Sequence, residues 1–483
     1  MLVITLYYYY YIPMRQRQSF TLFLAIGDIL ALYAALGLTL VTRYGTNITK
    51  PWEIHKYPFA VIFCIWIFLF FIAELYEQNA WNADRTVKER MLRTIAAAGI
   101  TSVILFYLVP AFVITPKTNL LIQIGYSAAL LLGWRMLASV IIRNTSKTNV
   151  LFFGDSEEIR SLARTLALNP HLGYCVSALV TAKQPFAASS DFMFPIVPVT
   201  ADISHMLEEK NISLVVASQE INSNKEFVRM LYDVIPRGIT FTDFPTFHET
   251  LTGKIPVSLI SEIWFLENLA SASKRMYEFI KRVFDICIAL VAGTVTILLL
   301  PAIALGILCS TPRDVFQFHM RRARKGDGII FFRQPRVGKN GVLFNFIKFR
   351  SQRLGSERLS ESKDIKNDPR QYPFGKFMRA FYMDELPQVW NVLKGEMSFI
   401  GPRPERPEYV TRLAESIPFY KIRLLVPPGI TGWAQINMKN DASVEDAPEK
   451  LQHDLYYIKN RSLALDLNIA LKTIWVILSR EGR

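Results

Sequence analysis

Two adjacent carboxylates, Asp384 and Glu385, stand in the run Met383-Asp384-Glu385-Leu386-Pro387-Gln388-Val389-Trp390-Asn391-Val392-Leu393-Lys394-Gly395, with Arg379 just ahead. The spacing predicts a helix that Asp384 caps, with Pro387 in the first turn, where a missing N–H costs nothing, and Gly395 at its end. An acidic cap by itself needs no chemistry. The free N–H groups and dipole at such an end also keep a carboxylate ionised and attract phosphate, so one carboxylate could attack phosphorus while its neighbour holds a hard cation. The six histidines form no HxxxH or HExxH spacing, and Cys64, Cys175, Cys287 and Cys309 lie far apart. Buried free thiols are expected there, with neither a disulfide framework nor a zinc site. Carboxylate oxygens are left as metal donors, and they suit magnesium.

Basic residues gather upstream of the acidic pair. Phe331-Phe332-Arg333-Gln334-Pro335-Arg336-Val337-Gly338 reads as a strand and is followed by Phe346-Ile347-Lys348-Phe349-Arg350-Ser351. Cations interleaved with aromatics could face nucleic acid, but these follow a long apolar run, so phosphates at a headgroup surface explain them better. Downstream, Gly401-Pro402-Arg403-Pro404 sets a guanidinium on a stiff loop, and Pro427-Pro428-Gly429-Ile430-Thr431-Gly432-Trp433-Ala434-Gln435 gives a second rigid turn.

The elements that must carry these residues begin with the size of the chain. At 483 residues, against a soft prior of ~150 per domain, about three units are expected. Hydrophobic residues make up 51% and charged residues 20%, with a mean hydropathy of +0.22. These values exclude a disordered chain and point to a membrane protein. The net charge of +14 could serve nucleic acid, anionic lipid or phosphorylated substrates.

Four apolar stretches, Phe20 to Val41, Tyr57 to Tyr76, Met91 to Thr115 and Asn119 to Ile142, are each long enough to cross a bilayer. Arg15 and Arg17, the cluster Arg85, Lys88, Arg90 and Arg93, and the pair Arg143 and Lys147 place both ends of this bundle on the cytoplasmic face. The tyrosine run Tyr7 to Tyr11 reads as an interfacial segment and not as a signal peptide.

From Asn149 the pattern changes to strands at Val150 to Phe153, Val176 to Val180, Ser213 to Ala217 and Ile239 to Thr242, with helices at Glu157 to Leu168 and Lys225 to Val234. This predicts a small doubly wound, Rossmann-like α/β domain. Its first turn, Phe153-Gly154-Asp155-Ser156-Glu157-Glu158, lacks two glycines of GxGxxG and carries acids that repel pyrophosphate. A structural or regulatory module is expected there, and no dinucleotide site.

The predicted organisation is therefore a four-helix transmembrane domain over 1–146, the α/β domain over 147–246, a linker over 247–273 and a catalytic domain over 274–483. Val283 to Cys309 is apolar but flanked by cations at both ends: Lys281 and Arg282 precede it, and Arg313, Arg321, Arg322, Arg324 and Lys325 follow. With Pro301 inside it, the segment 283–309 is expected to be a re-entrant helix-break-helix, entering and leaving on one face. A kinked spanning helix is the competing form.

From Lys281 to the C-terminus the chain resembles the bacterial sugar transferase family, the large monotopic phosphoglycosyl transferases that act on polyprenyl phosphate. The motifs that carry the resemblance, in order, are Lys281-Arg282-x-x-Asp285, Phe332-Arg333-Gln334-x-Arg336-Val337-Gly338, Lys348-Phe349-Arg350-Ser351, Asp368-Pro369-Arg370, Asp384-Glu385-Leu386-Pro387-Gln388, Gly401-Pro402-Arg403-Pro404 and Pro428-Gly429-Ile430-Thr431-Gly432. The whole chain resembles the longer members, which place four helices and a Rossmann-like domain in front. Departures are Leu300-Pro301 where Ser-Pro is usual, a longer basic link from Thr311 to Gly328, and Gln352 where Met is common.

The resemblance implies that Asp384 is the nucleophile, that Glu385 supports Mg2+, and that Pro402, Arg403 and Pro404 contact the nucleotide, with Lys348, Arg350 and Arg379 as further substrate-binding candidates. It implies transfer of a sugar 1-phosphate from a UDP-sugar to undecaprenyl phosphate through a covalent aspartyl intermediate, releasing UMP and starting exopolysaccharide, capsule or O-antigen assembly. The expected partners are the two substrates and membrane lipids, with no nucleic acid. The expected site is the cytoplasmic face of a bacterial inner membrane. The assembly state is left open, a homodimer included.

Two other readings stand beside this one. A membrane-bound nucleotide-sugar dehydratase or epimerase would need an intact GxGxxG and a Tyr-x-x-x-Lys pair in the α/β domain, whereas Tyr277-x-x-x-Lys281 and Tyr372-x-x-x-Lys376 fall outside it. A non-catalytic assembly scaffold would keep the helices but has no use for Asp384 beside Glu385. The sugar transferred is not written in any residue set.

Overall fold

The computed structural model describes residues 12–76, 80–81, 85–108, 117–144, 147–154, 156–181, 194–198, 203–218, 239–260, 264, 274–311, 328–353, 370–438 and 445–479. The chain divides into two compact units, Met1–Thr252 and Gly253–Arg483.

The first unit opens with four long helices: α1 (Ile12–Tyr44), α2 (Thr49–Ile72), α3 (Arg85–Leu108) and α4 (Lys117–Asn144). α2 and α3 begin before the apolar stretches at Tyr57 and Met91, because backbone bonding continues through polar first turns. Several buried polar groups pair across the bundle, as an apolar medium favours. Asp28, fully buried, accepts from Arg135 Nε at 3.1 Å and Nη2 at 2.5 Å, and from the Tyr76 hydroxyl at 2.9 Å. Thr39 donates to Gln123 at 3.0 Å, and Gln123 to Ser127 at 3.0 Å.

The α/β part holds five parallel strands, β1 (Thr148–Phe153), β2 (Tyr174–Thr181), β3 (Ile196–Pro198), β4 (Leu214–Ala217) and β5 (Thr240–Asp243), in the order β3-β2-β1-β4-β5. Helices α5 (Glu157–Leu168), α6 (Ile203–Glu209) and α7 (Phe244–Thr252) accompany them. α5 has the predicted bounds, since the Ser156 hydroxyl caps it by accepting from Ile159 N at 3.2 Å. β3 and α6 were not anticipated, and the predicted helix Lys225 to Val234 lies outside the described residues. Gly154, at φ +133°, lies so close to Ser218 and Ile159 that a Cβ would meet both, which makes this turn a close strand-to-strand contact.

The second unit begins at Gly253, inside the stretch read as a linker over 247–273. Ile255, Ile260 and Trp264 are buried in its core, Ile255 N donates to Gln452 O at 3.2 Å, and Trp433 Nε1 donates to Gly253 O at 2.8 Å. Helix α8 (Arg275–Ser310) follows and runs unbroken with Pro301 inside it, where a helix-break-helix was expected. Strands β6 (Phe331–Val337) and β7 (Leu343–Phe349) form an antiparallel hairpin whose turn places Asn340 and Gly341 at positive φ. Next come α9 (Pro373–Ala380), a 3-10 turn over Met383–Gln388, α10 (Val389–Lys394), β8 (Ser398–Ile400) and α11 (Pro407–Ser416). A 3-10 turn over Tyr420–Leu425 leads to β9 (Gly429–Thr431), parallel to β8, and then to α12 (Trp433–Asn437), α13 (Ala447–Asn460) and α14 (Leu463–Ser479).

Five helices among the described residues are long and apolar enough to cross a membrane, α1 to α4 and α8. The cysteines correct an expectation: Cys64, Cys175, Cys287 and Cys309 are all exposed. Three of them sit on α2 and α8, whose outer faces are themselves apolar, so an apolar neighbourhood in sequence does not mean the protein interior.

Candidate active site

Three elements of the second unit converge. β7 carries Lys348, the 3-10 turn Met383–Gln388 carries Asp384 and Glu385, and the loop after β8 carries Arg403. The turn is entered through Tyr382, whose φ of 55° is unusual for a residue with a Cβ. Glu385 N then donates to Tyr382 O at 3.1 Å. Met383 and Leu386 pack toward Phe349, Tyr372, Met378, Ile303 and Ile307, so the flanking apolar side chains fix which way the two acids face. Asp384 and Glu385 are buried, at 2% and 7% exposure.

The expected helix cap is different in detail. Asp384 is the second residue of the 3-10 turn, and α10 begins only at Val389. Pro387 has no N–H with which to close an α-type turn onto Met383, so the segment tightens to 3-10 before the α-helix starts. Gly395, at φ 82°, ends α10 as expected.

Glu385 Oε1 receives two cations, Lys348 Nζ at 3.0 Å and Arg403 Nη2 at 3.3 Å. Burial pushes the Lys348 pKa down, and Arg403 adds to this, while Glu385 and Asp384 oppose it. The result is a paired acid and base framework with a second carboxylate, Asp384, beside it. Such a framework can accept a polyanion next to a carboxylate.

Arg403 is aimed by a stiff loop. The flanking prolines fix their own φ, and four consecutive carbonyls are bound: Pro402 O by Gly429 N at 2.9 Å, Arg403 O by Arg423 Nη2 at 2.9 Å, Pro404 O by Arg336 Nη1 at 3.1 Å and Glu405 O by Val337 N at 3.0 Å. Gly429 lies against Gly401, where any Cβ would strike backbone.

The other predicted residues are placed as follows. Arg350 is buried and donates to Thr311 Oγ1 at 2.9 Å, tying the end of α8 to the end of β7. Arg379 closes α9, its carbonyl accepting from Tyr382 N at 3.2 Å, which leads the chain into the acidic turn. Pro301 sits in α8 between Leu300, at the edge of the cluster under that turn, and Ile303 within it. Asp368 and Pro369 lie outside the described residues.

The first motif acts as a fastener. Lys281 Nζ binds Asp466 at 2.9 Å, Arg282 donates to Val392 O at 2.6 Å and Leu393 O at 2.9 Å, and Asp285 accepts from Phe399 N at 3.1 Å. The Tyr277 hydroxyl shares Asp466 at 2.8 Å, so the Tyr277 and Lys281 pair is structural.

Sequence reasoning missed Asn391, fully buried, which donates to Asn345 O at 2.8 Å and accepts from Ile347 N at 3.3 Å, joining α10 to β7. It also missed the ionic group of Arg336, Glu405, Arg423, Lys450 and Asp454 behind the Arg403 loop. Its members are scattered in sequence. The available signal was α13, where Lys450 and Asp454 share helical spacing with Leu451 and Leu455 on a buried face.

The profile of the family described as bacterial sugar transferase matches residues 276–480. A protein of Aeromonas hydrophila named UDP-N-acetylgalactosamine-undecaprenyl-phosphate N-acetylgalactosaminephosphotransferase is 40% identical over 243 residues, 49% of this chain and 53% of that protein, so the chain spans about half the length of that relative. The undecaprenyl-phosphate galactose phosphotransferase of Salmonella typhimurium is 27% identical over 355 residues, 70% of this chain and 69% of that protein. An uncharacterized sugar transferase of Bacillus subtilis is 38% identical over 180 residues, 37% of this chain and 85% of that protein. The match runs from the start of α8 through α14 and takes in the acidic turn, the Arg403 loop and their supports, and by it the chain belongs to the bacterial sugar transferase family.

Proposed function

We propose that this chain transfers a sugar 1-phosphate from a UDP-sugar to undecaprenyl phosphate, releasing UMP, and so begins the assembly of a surface glycan. The observation that carries the reading is the buried Asp384 and Glu385 pair, framed by Lys348 and Arg403, in a unit built around an apolar helix. The relatives named for transfer to undecaprenyl phosphate supply the substrate class.

The chemistry divides one encounter between two anions into two steps. An Asp384 carboxylate oxygen forms a bond to the β-phosphorus as the bridge to the α-phosphate breaks, the electron pair leaving with UMP. An oxygen of the lipid phosphate then bonds to the same phosphorus, and the aspartyl bond breaks to restore the carboxylate. Arg403 orients the diphosphate, and Lys348 holds Glu385 in place. Among the described residues no three His, Cys, Asp or Glu side chains cluster. Glu385 would therefore hold magnesium together with substrate phosphates and water, a habit of that ion. When bound, magnesium supplies positive charge to the phosphate oxygens.

We further read α8 as re-entrant, with α1 to α4 spanning the membrane and the second unit on the cytoplasmic face of a bacterial inner membrane. Ala289, before Pro301, packs with Phe346 and Met397, while Ile303 and Ile307, after it, pack with Phe349 and Tyr372. A continuous helix returns to the face it entered only by bending, and contact with one folded body on both sides of Pro301, where a backbone hydrogen bond is missing, supports a bend there. Its other face exposes Val291 and Leu298, at 68% and 73%, as lipid contact requires.

Membranes holding the chain, incubated with UDP-sugars labelled with 32P at the β-phosphate and with undecaprenyl phosphate, should move label into lipid and release UMP for at least one sugar. No labelled lipid across a panel of UDP-sugars would refute the reading.

A further inference from the structure

We propose that Arg423 is a positioning residue for this reaction: it holds Arg403 aimed at Glu385 by binding the Arg403 main-chain carbonyl, and Asp454 holds Arg423 in turn. The inference rests on the reading above, in which Arg403 meets the diphosphate.

Arg423 lies on the 3-10 turn Tyr420–Leu425 and is only 3% exposed. Its guanidinium serves three partners. Nε and Nη2 meet Asp454 Oδ2 at 3.1 and 2.8 Å, Nη1 donates to the Tyr420 hydroxyl at 2.8 Å, and Nη2 donates to Arg403 O at 2.9 Å. A planar fork is the only side chain that spans three such acceptors at once; a lysine ammonium is a point charge and would keep one or two. Burial opposes the charge on Arg423, but Asp454, with Tyr420 and Glu405, holds its pKa above the usual value, so the fork stays fully donating.

Stability does not explain the arrangement. Buried ion pairs are often no better than apolar residues of the same volume. What an apolar residue would lack is the donor to Arg403 O. That donor acts at the one residue of the Pro402-Arg403-Pro404 triplet whose side chain reaches Glu385. Its leverage is large: a tilt of roughly 10° at this peptide would move the guanidinium by about 1 Å, a displacement that can cost on the order of 10²-fold in rate.

The network behind Arg423 is anchored on α13. Asp454 and Lys450 share that helix, and Lys450 Nζ binds Glu405 at 2.8 Å, next to the same loop. The Arg403 side chain is therefore directed from the core of the unit through main-chain atoms.

A double-mutant cycle on the full-length protein in nanodiscs tests this, with UMP release giving kcat and KM for the UDP-sugar. Arg423→Lys should lower kcat/KM by about 10- to 100-fold in the wild-type background and by less than about 2-fold in an Arg403→Ala background, because the residue it serves is then gone. Losses that multiply across the two backgrounds would show that Arg423 acts structurally and overturn the proposal. Should Arg423→Lys fail to fold, Tyr420→Phe removes one anchor of the fork and should show the same non-additivity with a smaller loss. Multiplying losses there overturn the proposal equally. Full activity of Arg403→Ala would instead overturn the nucleotide contact of Arg403, and this relay with it, while leaving transfer itself intact.

Discussion

Lys348 Nζ stands 3.0 Å from Glu385 Oε1, so the strand β7 and the turn that bears the acids are joined by charge at the point where chemistry is proposed. Lys348 is partly buried, and burial lowers its pKa. Its ammonium is therefore kept largely by the carboxylate it serves. Lys348→Met should leave Arg403 bound to Glu385 Oε1 without the lysine beside it and weaken nucleotide binding. The expected loss in kcat/KM is about 10- to 100-fold, the scale of one charge-assisted hydrogen bond. A variant with unchanged kinetics would remove Lys348 from the site.

Asp384→Asn keeps the shape of the side chain and removes the nucleophilic charge. The folded variant should lose transfer by on the order of 10⁴-fold or more. Intact-protein mass spectrometry after mixing with the UDP-sugar alone should show a phosphosugar adduct on the wild type and none on the variant. An adduct that survives the substitution would assign the nucleophile elsewhere.

How much of this was legible in the sequence varies with the kind of signal. Helix α5 was read to the residue because Ser156, Glu157 and a 3.6-residue apolar period all mark it. β3, three residues long, has no room for a period. The acidic pair and Arg403 were legible as motifs and the prolines as a stiff loop, but the bonds that brace it were not, since the pair Arg336 and Val337, Arg423 and Gly429 come from three separate segments. Arg350 shows the opposite case: it looks like a phosphate ligand beside Lys348, yet it lies just past the end of β7, is buried, and donates to Thr311 at the end of α8, a partner far away in sequence.

The orientation of α8 can be measured by labelling. In a background without native thiols, single cysteines at Asn149 and at the exposed Lys339 should both resist an impermeant thiol reagent added outside cells. Labelling at Lys339 alone would establish that α8 crosses the membrane.

A truncated chain should be cut at Gly253 and not at Ser271. Ile255, Ile260 and Trp264 are buried at 0%, 8% and 6% exposure in the core that also holds Val410, Leu413 and Leu455. Removing three such side chains forfeits about 1.5 to 3 kcal/mol each. The fragment 253–483 should therefore retain transfer in detergent, while 271–483 should melt earlier or fail to fold. Equal melting temperatures for the two would show that the segment before α8 is dispensable.

Acid sensitivity gives the last prediction, through His453 on α13. Burial, aided by the nearby charge of Lys254, pushes His453 from its ordinary 6.5 down to about 4. In the unfolded chain the imidazole takes a proton as pH falls past its ordinary value, and in the folded unit it resists until the lower one. The unfolded state thus binds more protons between these limits, and stability must fall as pH drops through that window. At 1.36 kcal/mol per unit the full loss is roughly 3 kcal/mol. Glu405 acts in a separate range: although burial itself works the other way, Lys450 and Arg423 hold it below its ordinary 4.5, so its contribution is complete above that pH and lost only beneath it. Urea midpoints of the fragment 253–483 at pH 7 and pH 5 should therefore differ for the wild type, with pH 5 less stable, and the difference should shrink in His453→Leu. An equal drop in both proteins would mean that His453 protonates in the folded unit as readily as in the unfolded chain.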